Sequence, residues 1–182
     1  MSDKYPNNID DIRFSRVWAM PSKDTYSIKP INELISGIVN PFGYNVDPFS
    51  GNNPFCDFFI TNDLDPSILS DNSDDAIDFL GSVPDNCVDL VLFDPPYSPR
   101  QVSECYKKLG RTVNMETTQS SYWAKLKVEV SRITKVGGTC VSFGWNSGGI
   151  GKKYGYKLSE VLLVPHGGAH NDTIVTVERR VG

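Results

Sequence analysis

The most regular hydrophobic period in the chain is helical. Ile31, Leu34, Ile35 and Ile38 fall on one face of a 3.6-residue repeat, with Pro30 in its first turn and Pro41 and Gly43 beyond its last. This predicts a short helix over residues 28–39. Two apolar runs follow, 44–49 and 58–61, each ending in an acid-bearing polar cluster, DPFSGNN from Asp47 and TNDLDP from Thr61. Both read as buried strands that feed turns. Residues 74–83 predict a second helix, and VDLVLF at 88–93 has the length and composition of a strand covered on both faces.

Beyond that strand, residues 100–109 read as a helix and GRTVNMETTQSS, 110–121, as a mobile loop without a period. Trp123, Leu126, Val130 and Ile133 form one stripe of a helix over 122–134, closed by Gly137 and Gly138 before a strand at 139–143. Two final β runs, 157–164 and 173–177, flank the turn-rich PHGGAHND and predict a hairpin. Residues 1–15 are polar and aperiodic, a flexible N-terminal arm, and 16–182 form one domain. Strands alternating with helices, then a hairpin, give an α/β fold: a mostly parallel sheet with helices on both faces and a C-terminal antiparallel β-hairpin. Ligands bind such sheets at the carboxyl ends of the strands. DPFSGNN, TNDLDP and Asp94-Pro95-Pro96-Tyr97 all lie at such ends, so three acid-bearing turns converge on one edge.

Composition fits that picture. The 182 residues are 39% hydrophobic, enough for one core, with no apolar stretch near the length of a membrane span and no signal-peptide order at the N-terminus. A soluble, cytoplasmic protein is expected. Four cysteines stand apart with no metal-ligand spacing, so reduced thiols and no metal site are expected. The net charge of −4 is unusual for a protein that binds nucleic acid, which draws affinity from neutralising phosphates. Cations, however, cluster after Tyr97, and a basic side is compatible with an acidic total.

Why strand 88–93 should end in Asp94-Pro95-Pro96-Tyr97 is a chemical question. The two prolines fix the backbone and remove two N–H donors, leaving a carboxylate, carbonyls and an aromatic face. Asp94 can accept a hydrogen bond from an exocyclic amine, a carbonyl of the Pro95-Pro96 backbone can aim at the same nitrogen, and Tyr97 can stack on a base.

The ordered set of TYSIKPI from Thr25, DPFSG from Asp47, Asn62-Asp63, DAIDFL from Asp75 and DPPY from Asp94 resembles the amino-group DNA methyltransferases that use S-adenosylmethionine. Among them it is most similar to the small adenine-specific methylases of phages and prophages, over about residues 18–178. The resemblance implies a Rossmann-like methyltransferase fold and methyl transfer from S-adenosylmethionine to N6 of adenine in DNA, with Asp94, Pro95, Pro96 and Tyr97 as catalytic residues. The target base must then be flipped out or already single-stranded. N4-cytosine DNA methylation, adenine RNA methylation and a non-catalytic S-adenosylmethionine-binding protein remain as alternatives.

For the cofactor, the resemblance assigns Asp47, Phe49 and Gly51 to the methionine end, Asp63 to the ribose hydroxyls with Asp65 competing, Asp75, Ala76 and Phe79 to the adenine ring, and Thr25, Ile28 and Pro30 to the methionine tail. The glycine pair usual in the DPF turn is replaced by Gly51-Asn52-Asn53, which puts close backbone approach in doubt. No separate target-recognition domain fits in this length. Sequence choice is expected from residues 110–121, from the loop at 144–153, or from a partner protein. Arg100, Trp145, Lys152 and Lys153 are the candidate substrate contacts, Trp145 for stacking and the lysines for phosphate. GWNSGGIGKKY lacks the phosphate-loop spacing, and His166 and His170 read as turn residues.

Overall fold

A computed structural model of the protein describes residues 12–110, 120–168 and 170–182. Strands β1 (Arg13–Arg16), β2 (Asn45–Asp47), β3 (Ile60–Thr61), β4 (Val88–Phe93), β5 (Thr134–Gly144), β6 (Tyr156–Val164) and β7 (Thr173–Arg180) form one sheet in the order β1-β6-β7-β5-β4-β2-β3. Only β7 runs against its neighbours β5 and β6; every other pairing is parallel. Helices α1 (Lys29–Ile38), α2 (Ala76–Ser82), α3 (Pro99–Lys108) and α4 (Ser120–Ile133) complete the fold. The expected α/β architecture with its terminal hairpin is therefore present.

Both faces of the sheet are covered, which is why VDLVLF reads as a nearly continuous apolar run. Leu90 and Leu92 face α1, where Ile31 and Ile35 pack with Tyr26, Phe143 and Val175. Val91 and Phe93 face the other layer, with Phe79 and Leu80 of α2 and Leu126, Val130 and Ile133 of α4. Pro30 is buried at the start of α1, where its missing N–H costs nothing. No helix among the described residues is long and apolar enough to cross a membrane.

Two features depart from the sequence reading. Residues 13–15 of the expected arm belong to β1, an edge strand held by its parallel ladder to β6 and by Arg13 paired with Glu160 at 3.6 Å. The rest of the arm, and residues 111–119 of the expected recognition loop, lie outside the described residues. Secondly, the loop after β5 does not stay at the carboxyl edge. Buried Glu178 of β7 accepts the N–H groups of Ile150 at 2.5 Å and Gly151 at 3.0 Å, and it lies level with Cys140, well back along β5. The loop is thereby drawn across the sheet face, and the hydroxyl of Ser131, near the end of α4, donates to the Tyr154 carbonyl at 2.7 Å. Lys152 and Lys153 end up at the opposite edge from the turns after β2, β3 and β4.

Candidate active site

The chain crosses over between β2 and β4: β3 is added on one side of β2, and β4 on the other. The turns after β2 and β4 therefore open side by side, the arrangement in which parallel α/β sheets bind ligands. A cleft of about 770 Å³ lies there, a volume suited to a nucleotide-sized ligand together with part of a second.

The turn after β2 is organised from beneath. Asp47 is fully buried and accepts from the Phe49 N–H at 3.2 Å, the Asn53 amide at 2.7 Å and the Tyr26 hydroxyl at 3.3 Å. Burial pushes its carboxyl up to about 8 against the pull of those donors, and the charge of Asp94 adds to the rise. Asp47 does not line the cleft; it builds the turn that does. Asp47→Ala strands three donors, two of them buried, and at about 1–3 kcal/mol for each buried one lost without replacement it is expected to cost about 2 kcal/mol or more in urea unfolding. An unchanged midpoint would remove this role.

The Asn pair proves to be part of the same turn. Asn53 is buried, donating to Asp47 and accepting the Phe55 N–H at 2.7 Å, while the Asn52 amide donates to Asp24 at 2.9 Å. Gly51 keeps the positive φ of 47°, and nothing lies within 4 Å of the position its Cβ would occupy. Its open backbone therefore faces the cleft. Asn62, also fully buried, ties three turns together: its amide donates to the carbonyls of Pro48 and Asp74, and its oxygen accepts the Asp74 N–H.

Asp63 and Asp65 both line the cleft but are not equally free. Asp63 accepts one N–H on each oxygen, from Gly51 at 2.9 Å and Asp65 at 2.8 Å, which leaves acceptor capacity on both oxygens. Asp65 accepts the Ser67 hydroxyl and N–H on one oxygen and Lys108 on the other; the Ser67 hydroxyl above all, with Lys108, holds its carboxyl down to about 2. Nearby, Asp75 caps α2 through the Ile77 N–H at 3.0 Å and accepts from the Tyr106 hydroxyl.

At the end of β4, burial pushes the Asp94 carboxyl up to about 6, opposed by the hydroxyls of Tyr97 and Thr25. The Tyr97 hydroxyl donates to Asp94 at 2.5 Å, and its ring meets Trp145 edge-on at 5.4 Å. The two prolines are not equivalent. Trp123 of α4 donates its indole N–H to the Pro96 carbonyl at 2.9 Å, whereas no described residue donates to the Pro95 carbonyl. Two acceptors, Asp94 and the Pro95 carbonyl, are thus offered beside an aromatic ring.

The cleft gathers Thr25, Ile28, Phe49, Gly51, Asp63, Asp75 and Ala76 with the whole of Asp94 to Tyr97 and Trp145. Six sequence candidates lie outside it. Asp47 and Pro30 are buried beneath. Phe79, named with the adenine group, is buried in the core layer of α2. Arg100 is turned away because Gln101, Glu104, Cys105 and Lys108 make the facing stripe of α3; it pairs with Glu104 at 2.7 Å instead. Lys152 and Lys153 sit at the far edge, held there by the Glu178 contacts. Tyr26, Trp123 and His166 were not singled out from sequence for their part in the site, and Asn62 only as a member of the Asn62-Asp63 motif; their contacts join segments far apart in the chain. No cluster that could hold a metal ion occurs among the described residues.

No family model matches the chain, and no curated protein matches it in sequence. Solved structures do. The chain is similar to yhhF, a candidate methyltransferase of Escherichia coli, at 8% identity and a TM-score of 0.56, over 91% of this chain and 90% of that one. It is similar to the 1,6-didemethyltoxoflavin-N1-methyltransferase of Burkholderia thailandensis, solved with 1,6-didemethyltoxoflavin and S-adenosylhomocysteine, at 9% identity and 0.56, over 83% and 76%. TrmN of Thermus thermophilus matches at 17% identity and 0.55 over 85% of this chain, which spans about half (49%) of that protein. At such identities the likeness is one of architecture, and it shows that the chain has the Rossmann-like methyltransferase fold.

Proposed function

We propose that the protein transfers the methyl group of S-adenosylmethionine to N6 of adenine in DNA, on a flipped or single-stranded base held at Asp94-Pro95-Pro96-Tyr97. The observation that carries this reading is the pairing of two half-sites in one cleft. One half offers the Asp63 carboxylate with an acceptor position open on each oxygen, and the other offers Asp94 and the Pro95 carbonyl beside Tyr97.

The residues present fit the cofactor. Asp63 suits a cis-diol, the bare backbone at Gly51 permits close approach, and Ala76 with Ile28 supplies apolar wall. The acidic lining, Asp63, Asp75 and Asp94, favours a sulfonium cation. When bound, S-adenosylmethionine supplies an electrophilic methyl carbon whose sulfur leaves with the electron pair.

The chain's own part is orientation. Asp94 and the Pro95 carbonyl accept hydrogen bonds from the two N–H groups of N6 and turn its lone pair toward the incoming carbon. Tyr97, packed against Trp145, supplies the stacking face. As the new N–C bond forms, N6 must lose one proton, and the Asp94 carboxylate is placed to take it and pass it to water. The products are N6-methyladenine, S-adenosylhomocysteine and a proton.

The test is transfer of labelled methyl groups from S-adenosylmethionine to unmethylated single- and double-stranded DNA and to RNA, followed by nucleoside mass spectrometry. Labelled N6-methyldeoxyadenosine is expected. Label in N4-methyldeoxycytidine or in a ribonucleoside would change the base or polymer, and cofactor binding with no label on any polymer would overturn the reading.

A further inference from the structure

The half of the cleft beyond Asp94 is walled by two segments from opposite ends of the chain. One is the strap that follows β1, with Pro21, Ser22 and Lys23 on the cleft; the other is the tip of the β6–β7 hairpin, with His166, His170 and Asn171. Their junction is fixed. The N–H groups of Val17 and Ala19 bond the carbonyls of Leu163 and Pro165, extending the β1 ladder to the hairpin. The His166 ring, buried at 6% exposure, spans Ala19 O and Thr173 Oγ1 at 2.9 Å each. At its other end the strap is moored by Asp24, which accepts from Asn52 of the turn after β2.

What this frame presents is polar and unused. The His170 ring and the Asn171 amide make no hydrogen bond among the described residues. Of the two lysines on the cleft, Lys108 is paired with Asp65 at 2.9 Å, whereas Lys23 has no carboxylate partner among the described residues. An amide matches the donor and acceptor pair on a base edge, and an unpaired ammonium matches a phosphate.

Resting on the reading above, we propose that residues 21–24 and the hairpin tip form the surface that reads the nucleotides flanking the target base. His170 and Asn171 contact base edges, Lys23 contacts phosphate, and His166 is the positioning residue that holds the two segments together. The sequence preference is placed on this surface.

The experiment is methylation of a random-sequence DNA pool by the full chain and by His170→Ala/Asn171→Ala, with the methylated sites sequenced. The double variant is expected to spread methylation over sites the wild type rejects, with S-adenosylmethionine affinity unchanged. Lys23→Ala should reduce the salt slope of DNA binding by about one, while Lys152→Ala/Lys153→Ala, at the far edge, leaves it unchanged. His166→Ala should raise KM for DNA about tenfold with kcat and cofactor affinity little altered, and His166→Gln should recover part of the loss. An active wild type whose double variant keeps the same site profile, with an unchanged Lys23 slope, overturns this proposal alone. A wild type that methylates no polynucleotide overturns the functional reading and this proposal together.

Discussion

Asp94→Ala is expected to lower the methyl-transfer rate by about 10²- to 10⁴-fold, the usual worth of a positioned acid–base group, while S-adenosylmethionine affinity stays within a few fold. The separation follows from placement. Asp94 ends β4 beside Tyr97 and Thr25, whereas the acceptors suited to the cofactor lie after β2 and β3. The wild-type rate should also depend on pH with a defined sign. Burial raises the Asp94 carboxyl to about 6, and only the carboxylate can take the proton that N6 loses, so the rate should rise through about pH 6 and level off above it. Tyr97→Phe removes a hydrogen bond that holds this carboxyl down, and the midpoint should move upward. A parallel loss of cofactor binding in Asp94→Ala would take Asp94 out of its catalytic role. A rate independent of pH between 5 and 7 would show that its protonation does not limit transfer.

Legibility in the sequence tracked how local each constraint is. β4 was readable because burial on both faces writes itself as VDLVLF, and α1 because its core face repeats every turn. The three turns were readable because prolines, glycines and acids punctuate them. β1 was not: an edge strand with both faces largely exposed carries no apolar alternation, and RFSR is held by backbone pairing to a partner almost 150 residues away. The loop after β5 was misplaced for a similar reason, since its course is set by Glu178, near the end of the chain. Asn53 shows the limit of reading a motif by its usual letters. Where a second glycine was expected, the structure uses an amide that donates to the second oxygen of buried Asp47, so the turn is changed in composition but not opened. His166 was read as a turn residue, yet its two ring contacts reach Ala19 and Thr173, a join that only the tertiary fold creates.

The sharpest discrimination within the cofactor half is between the two neighbouring acids. Asp63→Ala is expected to weaken S-adenosylmethionine binding by about 10- to 100-fold in calorimetry, since a hydrogen bond to a charged group contributes about 1.5–3 kcal/mol. Asp65→Ala should change it by no more than about threefold, because a lone exposed ion pair contributes little. The asymmetry rests on acceptor counting. Asp65 has one oxygen filled by the two Ser67 donors and the other in an ion pair with Lys108, whereas Asp63 holds one backbone N–H on each oxygen and keeps room on both for a hydroxyl. Asp63→Ala also frees the N–H of Gly51 and so loosens the turn, and that contribution must be separated from direct contact. A cofactor analogue lacking the ribose hydroxyls does so. If Asp63 acts on the diol, the variant and the wild type bind the analogue with similar affinity; if it acts only through the turn, the full loss persists. A larger effect from Asp65→Ala would move the ribose contact to that residue.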